Sequence, residues 1–309
     1  MTVNALFVGT QEDWDTYAPA LIDAFANLGT PVALQRDHAA ETVDYIVMAG
    51  SRILDDFSPF VRCKAMLRLW AGVEDVVNNP TITFPICRMV GGGLDQGMID
   101  WVTAHTLRHH IGMDTHIHGQ DGVWRDGFVP PLAQDRPITI LGLGALGAAC
   151  GQALAGLGFP VTGWSRTQKS IPNIRCLSGD VGDALDGAEI VILLLPKTPQ
   201  TENTLNAGAL SRTAKGAFIL NPGRGPLIDD DALIAALDSG QIAHATLDTF
   251  RQEPLPEDHP FWHHPQVTVT PHIASQTRAD PAAKIIAQNI QRGESGEEFL
   301  HQVDRTAGY

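Results

Sequence analysis

Basic residues are scarce in this chain: 21 lysines and arginines stand against 35 aspartates and glutamates, a formal net charge of −14 over 309 residues. No basic block interrupts that excess. Nucleic acid and anionic membrane surfaces are therefore not expected as partners, although a local basic pocket for one phosphate remains open to it. Cysteine is sparser still. Cys63, Cys87, Cys150 and Cys176 form no C-x-x-C pair and no His–Cys ligand spacing, which argues against a disulfide framework and for reduced thiols. No apolar run approaches the roughly 18 residues of a membrane span. The first residues, MTVNALFVGTQEDWD, lack the basic start, long apolar stretch and small-residue cleavage site of a secretory signal, so a soluble, cytoplasmic protein is expected. Fixed short repeats and low-complexity segments are also missing. The length suffices for two domains, each burying its own core.

What is present is organised around Pro137 to Arg166, PITILGLGALGAACGQALAGLGFPVTGWSR. An apolar run leads into Gly142-Leu143-Gly144-Ala145-Leu146-Gly147, then an Ala/Leu-rich helical segment, then a second apolar run ending at Trp164. Dinucleotide binding needs this order. Gly142 makes the turn, Gly144 lets the backbone approach a pyrophosphate, and Gly147 lets helix and sheet pack closely. The helix N-terminus at Ala145 and Leu146 offers unpaired N–H groups to negative charge. An NAD site ordinarily carries an acidic residue at the end of the second strand, for the ribose; here Ser165-Arg166 stands there, with Lys169 just beyond. No carboxylate repels a 2′-phosphate and Arg166 offers it a planar fork of donors, so NADP(H) is the preferred cofactor and NAD(H) a possible one.

Along the chain, Val3 to Val8, Asp44 to Met48 and Met66 to Trp70 read as buried strands alternating with helical pieces such as Trp14 to Leu28. Gly91-Gly92-Gly93 then interrupts the pattern ahead of a helix from Leu94 to about Ile111, as a hinge between domains would. From Pro137 the alternation resumes for about six strands, and a last helix after Ser275 crosses back towards the first domain. The expected fold class is α/β, two Rossmann-like doubly wound parallel-sheet domains. Residues 1–98 with 279–309 form a discontinuous substrate (catalytic) domain, and 99–278 the dinucleotide-binding domain.

Ligands in open α/β sheets bind beyond the carboxyl ends of the strands. Three ionisable residues follow such ends: Arg224 in Asn221-Pro222-Gly223-Arg224-Gly225, Glu253 in the Asp248 to Pro256 segment, and His272 in Thr270-Pro271-His272-Ile273. Reducing a carbonyl puts negative charge on its oxygen, so a positioned proton donor is needed, and imidazole titrates in the working range. Glu253 beside His272 would orient the ring and favour its protonated form. Arg224 would bind a keto-acid carboxylate and polarise the carbonyl. The closely spaced His109, His110, His116 and His118 lack a nearby Cys, Asp or Glu that completes a convincing metal set, and no metal site is expected.

GLGALG, NPGRG, the Asp248–Pro256 segment and TPHIAS at Thr270 to Ser275 resemble, in order and spacing, the D-isomer-specific 2-hydroxyacid dehydrogenases. Ala71-Gly72-Val73, Leu194-Leu195-Pro196 and the terminal Val303-Asp304-Arg305 extend the resemblance over most of the chain. Trp164-Ser165-Arg166 and the C-terminal signature look most like the glyoxylate/hydroxypyruvate reductase A type. The resemblance implies an interdomain cleft that closes on binding, Arg224, Glu253 and His272 in the roles above, and a homodimer built through the cofactor domain. It also implies a substrate carboxylate held around Trp70, Ala71, Gly72 and Val73. Pro196 and Asp248 complete the candidate cofactor-binding set. Trp70 replaces the family's usual Gly, Glu74 its usual Asp, and Met48-Ala49-Gly50-Ser51-Arg52 lacks the Trp and Pro of the A type. The expected reaction is reduction of a small 2-keto acid to the D-2-hydroxy acid. The alternatives are an NAD-dependent dehydrogenase of a bulkier D-2-hydroxy acid and a non-catalytic dinucleotide sensor.

Overall fold

The computed structural model describes residues 2–50 and 54–308. It forms two units, one comprising the chain up to Leu94 together with everything from Gln276, the other Asp95–Ser275. The first begins with β1 (Val3–Val8), α1 (Gln11–Ala26), β2 (Val32–Gln35), β3 (Tyr45–Met48), β4 (Ala65–Arg68) and β5 (Ile86–Cys87). The strands are all parallel, in the order β2-β1-β3-β4-β5. Thr10 starts α1 with a capping box: its Oγ1 accepts from the Asp13 N–H, and the Asp13 carboxylate accepts from the Thr10 N–H.

The second unit comprises α2 (Leu94–His110), α3 (Met113–His118), β6 (Ile138–Leu141), α4 (Ala145–Gly156), β7 (Val161–Trp164), β8 (Ile174–Leu177), α5 (Gly182–Leu185), β9 (Ile190–Leu193), α6 (Ala207–Arg212), β10 (Ala217–Asn221), α7 (Asp230–Asp238), β11 (Ile242–Leu247) and β12 (Val267–Val269). Its seven parallel strands run β12-β11-β10-β9-β6-β7-β8. Strand order reverses between β6 and β9, the crevice at which doubly wound sheets take ligands. The chain then returns to the first unit as α8 (Ala279–Glu294), which packs Ala282, Ala283, Ile286 and Ile290 into the same cluster as Tyr17, Leu21 and Phe25 of α1.

The sequence reading differs from this fold in edges and boundaries. The larger sheet has seven strands, not about six, the additional one being β8; β2 and β5 are likewise additional to the strands expected from sequence. All of these lie at sheet edges; the exposed Gln35 and Arg175 interrupt the apolar run that marks a buried strand in β2 and β8, while β5 is buried but only two residues long. The units divide at 94/95 and 275/276, against 98/99 and 278/279 from sequence. α2 runs unbroken from Leu94, while Thr277 donates to the Leu69 carbonyl (2.6 Å) and Arg278 to the Gly93 carbonyl (2.6 Å), fixing residues 276–278 to the first unit.

The histidines of α2 are packing groups. His109 is buried, stacks on Phe218 of β10 with ring centroids 4.8 Å apart, and shares a hydrogen bond with Thr246 Oγ1 (2.9 Å). Burial, reinforced by the charges of Arg108 and Arg136, pushes its pKa down to about 2; burial and Arg108 bring His105 to about 4, and burial brings His244 to about 4 against the pull of Asp114. A base with a depressed folded-state pKa stabilises fully above its unfolded value, roughly 6.5, and loses that stability as pH falls. The thermal midpoint should therefore drop between pH 6.5 and 4, and His109→Leu should flatten that slope in melts across the range; an unchanged slope would show that His109 is not responsible. Among the described residues no group of three or more His, Cys, Asp or Glu could hold a metal ion, and no helix is long and apolar enough to cross a membrane.

Candidate active site

The turn after β6 has the shape a pyrophosphate requires. Gly142 sits at φ +110°, and a side chain there would lie 2.5 Å from the Leu194 carbonyl oxygen. A Cβ on Gly147 would lie 1.8 Å from the Gly142 oxygen, so α4 approaches the turn as only glycine allows. Gly144 differs: nothing lies within 4 Å of its absent side chain, and no side chain caps α4. Backbone and space are thus open where a phosphate would approach the N–H groups of Ala145 and Leu146. Beyond β7, Ser165 is buried and donates to the Thr167 carbonyl (2.8 Å), while Arg166 is exposed. Lys169 Nζ donates to the carbonyl of Leu143, within the glycine turn itself (2.7 Å).

Sheet order sets out the remaining candidates. β10, β11 and β12 are neighbours, so Arg224, Glu253 and His272, which follow them, lie in sequence along one carboxyl edge, with Pro196 beyond β9 and the glycine turn beyond β6. His272 Nδ1 is 2.8 Å from Glu253 Oε2, and Glu253 Oε1 accepts from the Phe250 N–H (2.8 Å). Partial burial opposes the Glu253 charge, but the bonds from His272 and Phe250 and the nearby Arg224 charge outweigh it and hold the carboxyl below its ordinary range. Stability from this pair is therefore present above the ordinary carboxylate pKa and lost as pH falls through the lowered one. Arg224 is half-buried and its Nη1 donates to the Gly223 carbonyl (2.7 Å). Its turn is shaped by the buried Asn221, which accepts from the Gly223 N–H and donates to the Arg224 carbonyl. A Cβ on Gly225 would lie 1.9 Å from the Phe250 carbonyl carbon, so the Arg224 and Glu253 loops touch through that glycine.

Asp248 holds the third loop in place. Its carboxylate is fully buried and accepts from Thr270 Oγ1 (2.6 Å) and from the N–H groups of Ile273 and Ala274 (both 2.9 Å). Its carbonyl accepts from the His272 N–H (2.9 Å), and His272 itself has φ +53°, a left-handed conformation that a non-glycine residue adopts under constraint. The carboxylate thus holds the His272 loop, a role additional to the cofactor contact expected from sequence. Trp262 Nε1 donates to the Pro256 carbonyl (2.9 Å) and pins the far end of the Glu253 segment.

In the first unit, Trp70, Ala71, Gly72 and Val73 follow the carboxyl end of β4. The N–H groups of Ala71, Gly72 and Val73 make no hydrogen bond among the described residues. The Trp70 side chain is 39 % exposed. Ser51 and Arg52, in the segment departing from the A-type pattern, lie outside the described residues.

Comparison with known proteins places the chain among relatives of the same fold. A family model described as the D-isomer specific 2-hydroxyacid dehydrogenase NAD binding domain matches residues 101–274. The chain belongs to the D-isomer-specific 2-hydroxyacid dehydrogenases. It is 37 % identical over 260 residues to the glyoxylate/hydroxypyruvate reductase A of Yersinia enterocolitica, covering 81 % of this chain and 82 % of that protein. The crystal structure of a family member from Xanthobacter autotrophicus Py2, in complex with NADPH and MES, superposes with a TM-score of 0.92 at 36 % identity, covering all of both chains. An NADPH-dependent glyoxylate/hydroxypyruvate reductase from Sinorhizobium meliloti, in complex with NADP and sulfate, gives 0.89 at 30 % identity, covering 100 % and 99 %. In this dehydrogenase Arg224, Glu253 and His272 stand out in the sequence, whereas the bonds by which Asn221 and Asp248 shape their loops do not. An Asn directly before Pro-Gly, and an Asp directly after a buried strand, are the signals that mark them.

Proposed function

We propose that this chain reduces small 2-keto acids, glyoxylate and hydroxypyruvate first among them, to D-2-hydroxy acids, preferring NADP(H) and accepting NAD(H) less well. The observation that carries the reading is the His272–Glu253 pair: the carboxylate accepts at Nδ1, so that nitrogen bears hydrogen and Nε2 is left for the substrate oxygen. Bound nicotinamide dinucleotide supplies the hydride. His272 gives its Nε2 proton to the oxygen as charge develops there, and Glu253 stabilises the ring's charge before transfer. Arg224 binds the carboxylate and polarises the carbonyl, and on the first unit the free N–H groups of Ala71, Gly72 and Val73 form a carboxylate receptor. The half-exposed Trp70 indole narrows the space for the substrate's side chain.

The cofactor is held through Gly142, Gly144, Ala145, Leu146 and Gly147 at the pyrophosphate and through Ser165, Arg166 and Lys169 at a 2′-phosphate, with Pro196 flanking. Two of the similar structures carry NADPH or NADP, which supports that preference. The first unit acts as substrate domain and the second as dinucleotide domain. A homodimer through the second unit is supported by apolar residues left on its surface segment, Trp124 (88 % exposed), Val129 (84 %) and Leu132 (65 %). Oxidation of NADPH on mixing with glyoxylate, followed by absorbance, tests the activity; binding of NADPH with no turnover on any of a panel of keto acids would leave a sensor instead.

Two substitutions test the assignments. Arg166→Ala should lower the ratio of kcat/KM for NADPH over NADH, and an unmoved ratio would mean that another residue reads the phosphate. Arg224→Ala should raise KM for the keto acid roughly ten- to a hundredfold, the loss of a charge-assisted contact. An unchanged response to substrate would show the pocket to be elsewhere.

A further inference from the structure

We propose that Arg68 is a positioning residue for the substrate carboxylate, fixing from the core of the first unit the loop whose N–H groups receive it. This rests on the assignment of Ala71, Gly72 and Val73 above. Along β4, Ala65, Leu67 and Leu69 enter one core cluster and Met66 the other, so alternation sends Arg68 to the face of Met66. Its side chain is 1 % exposed, making it the largest fully buried side chain among the described residues. Nη1 is 2.9 Å from Asp75 Oδ2, Nη2 donates to the Gly72 carbonyl (3.2 Å), and Nε has no partner.

Stability does not account for such a residue. Removing a guanidinium from water is costly, and a packed apolar side chain of similar volume commonly serves a core as well or better. The orphaned Nε adds a further penalty. What Arg68 does is local. The Trp70 carbonyl accepts from the Met89 N–H (3.0 Å), and the Val73 carbonyl accepts from the N–H groups of Val76 (3.0 Å) and Val77 (2.8 Å). Gly72 lies between them, and its carbonyl is held by Arg68. Carbonyls at both ends and in the middle of the loop are thereby tied to the protein, while the three N–H groups stay unbonded. A fixed cation against the same peptide also favours an arriving anion. Backbone bonds of the kind at Trp70 and Val73 form with many sequences, whereas the bond at Gly72 depends on this side chain.

The test uses oxalate, an unreactive dicarboxylate, binding to the full-length protein loaded with NADP+. Arg68→Met should raise the oxalate Kd and the keto-acid KM about tenfold, the worth of one loop N–H bond to a carboxylate that the loosened loop no longer makes, with a smaller fall in kcat. NADPH affinity should hold, and the thermal midpoint is read in the double variant Arg68→Met with Asp75→Asn, where no carboxylate is left without its partner: it should hold there, whereas a merely structural residue would lower the midpoint and leave KM in place. Arg68→Lys, which keeps the charge but not the fork, should lie between. If Arg68→Met does not fold, the double variant with Asp75→Asn, which leaves no orphaned carboxylate, and Arg68→Lys are read by the same measure. Wild-type oxalate affinity in any folded variant lacking the fork overturns the proposal. The loop assignment is judged separately, by the backbone amide signals of Ala71, Gly72 and Val73 on adding oxalate to the wild type. If they do not move, that assignment fails; if they move and Arg68→Met binds oxalate normally, only the role of Arg68 fails.

Discussion

His272→Ala is expected to lower kcat about 10²–10⁴-fold, the usual worth of a positioned general acid, while NADPH still binds as in the parent enzyme. The expectation follows from what the ring touches and what it leaves free. Its Nδ1 faces Glu253 Oε2 at 2.8 Å, and that carboxylate is kept ionised by the N–H of Phe250, by His272 and by the charge of Arg224 despite its partial burial. An ionised carboxylate accepts only, so the tautomer is set and the opposite nitrogen is available. The imidazole is half exposed, as a group that must meet a substrate has to be. Glu253→Gln keeps an acceptor for Nδ1 but removes the carboxylate charge beside the ring, so its kcat should fall less than that of His272→Ala. Steady-state rates at saturating NADPH and glyoxylate, beside a fluorescence titration of NADPH, separate chemistry from binding. Unchanged kcat in His272→Ala removes it from the acid role, and a parallel loss of NADPH binding would make its part structural.

The features legible in the sequence are those in which one residue type answers one local demand. Gly142 is required by its positive φ and Gly147 by the Gly142 oxygen against which α4 lies, so both appear as glycine punctuation after an apolar run. β6, β9 and β10 are buried along their length or nearly so and read as short apolar runs. β2 and β8 do not, since Gln35 and Arg175 are exposed and polar, and β5 does not because it is only two residues long. Arg224, Glu253 and His272 were visible as ionisable residues just after strand ends, but what brings them together is the adjacency of β10, β11 and β12, a property of the whole sheet. Residues that act through others stayed hidden. Asn221 reads as part of a turn and Arg68 as one charge in an apolar run. His109 reads as one of several histidines, until Phe218 and Thr246 are seen against it.

Asp248→Asn, conservative in shape, should be severe, lowering kcat and thermal stability together. The two oxygens of Asp248 face donors only: Thr270 Oγ1 and the Ile273 N–H on one, the Ala274 N–H on the other. An asparagine in the same pose sets its NH₂ against a backbone N–H, donor to donor, and leaves that N–H unpaired in a side chain environment of 0 % exposure. The cost of a buried donor without a partner is roughly 1–3 kcal/mol, which in a unit of this size lowers the midpoint by about 2–4 °C per kcal/mol. The same bonds hold His272 at φ +53°. A non-glycine residue there stores about 1–3 kcal/mol that the surroundings must supply, so once they loosen, the chain relaxes towards an ordinary backbone conformation and carries the imidazole away from Glu253. Melting curves and kcat measured on one preparation distinguish this from loss of the acid alone: His272→Ala leaves all of the Asp248 bonds in place and should lose only the part of the midpoint that its bond to Glu253 contributes, whereas Asp248→Asn should lower kcat with a larger fall in midpoint. A variant that retains the parent midpoint and kcat would mean that the loop is held by something other than this carboxylate.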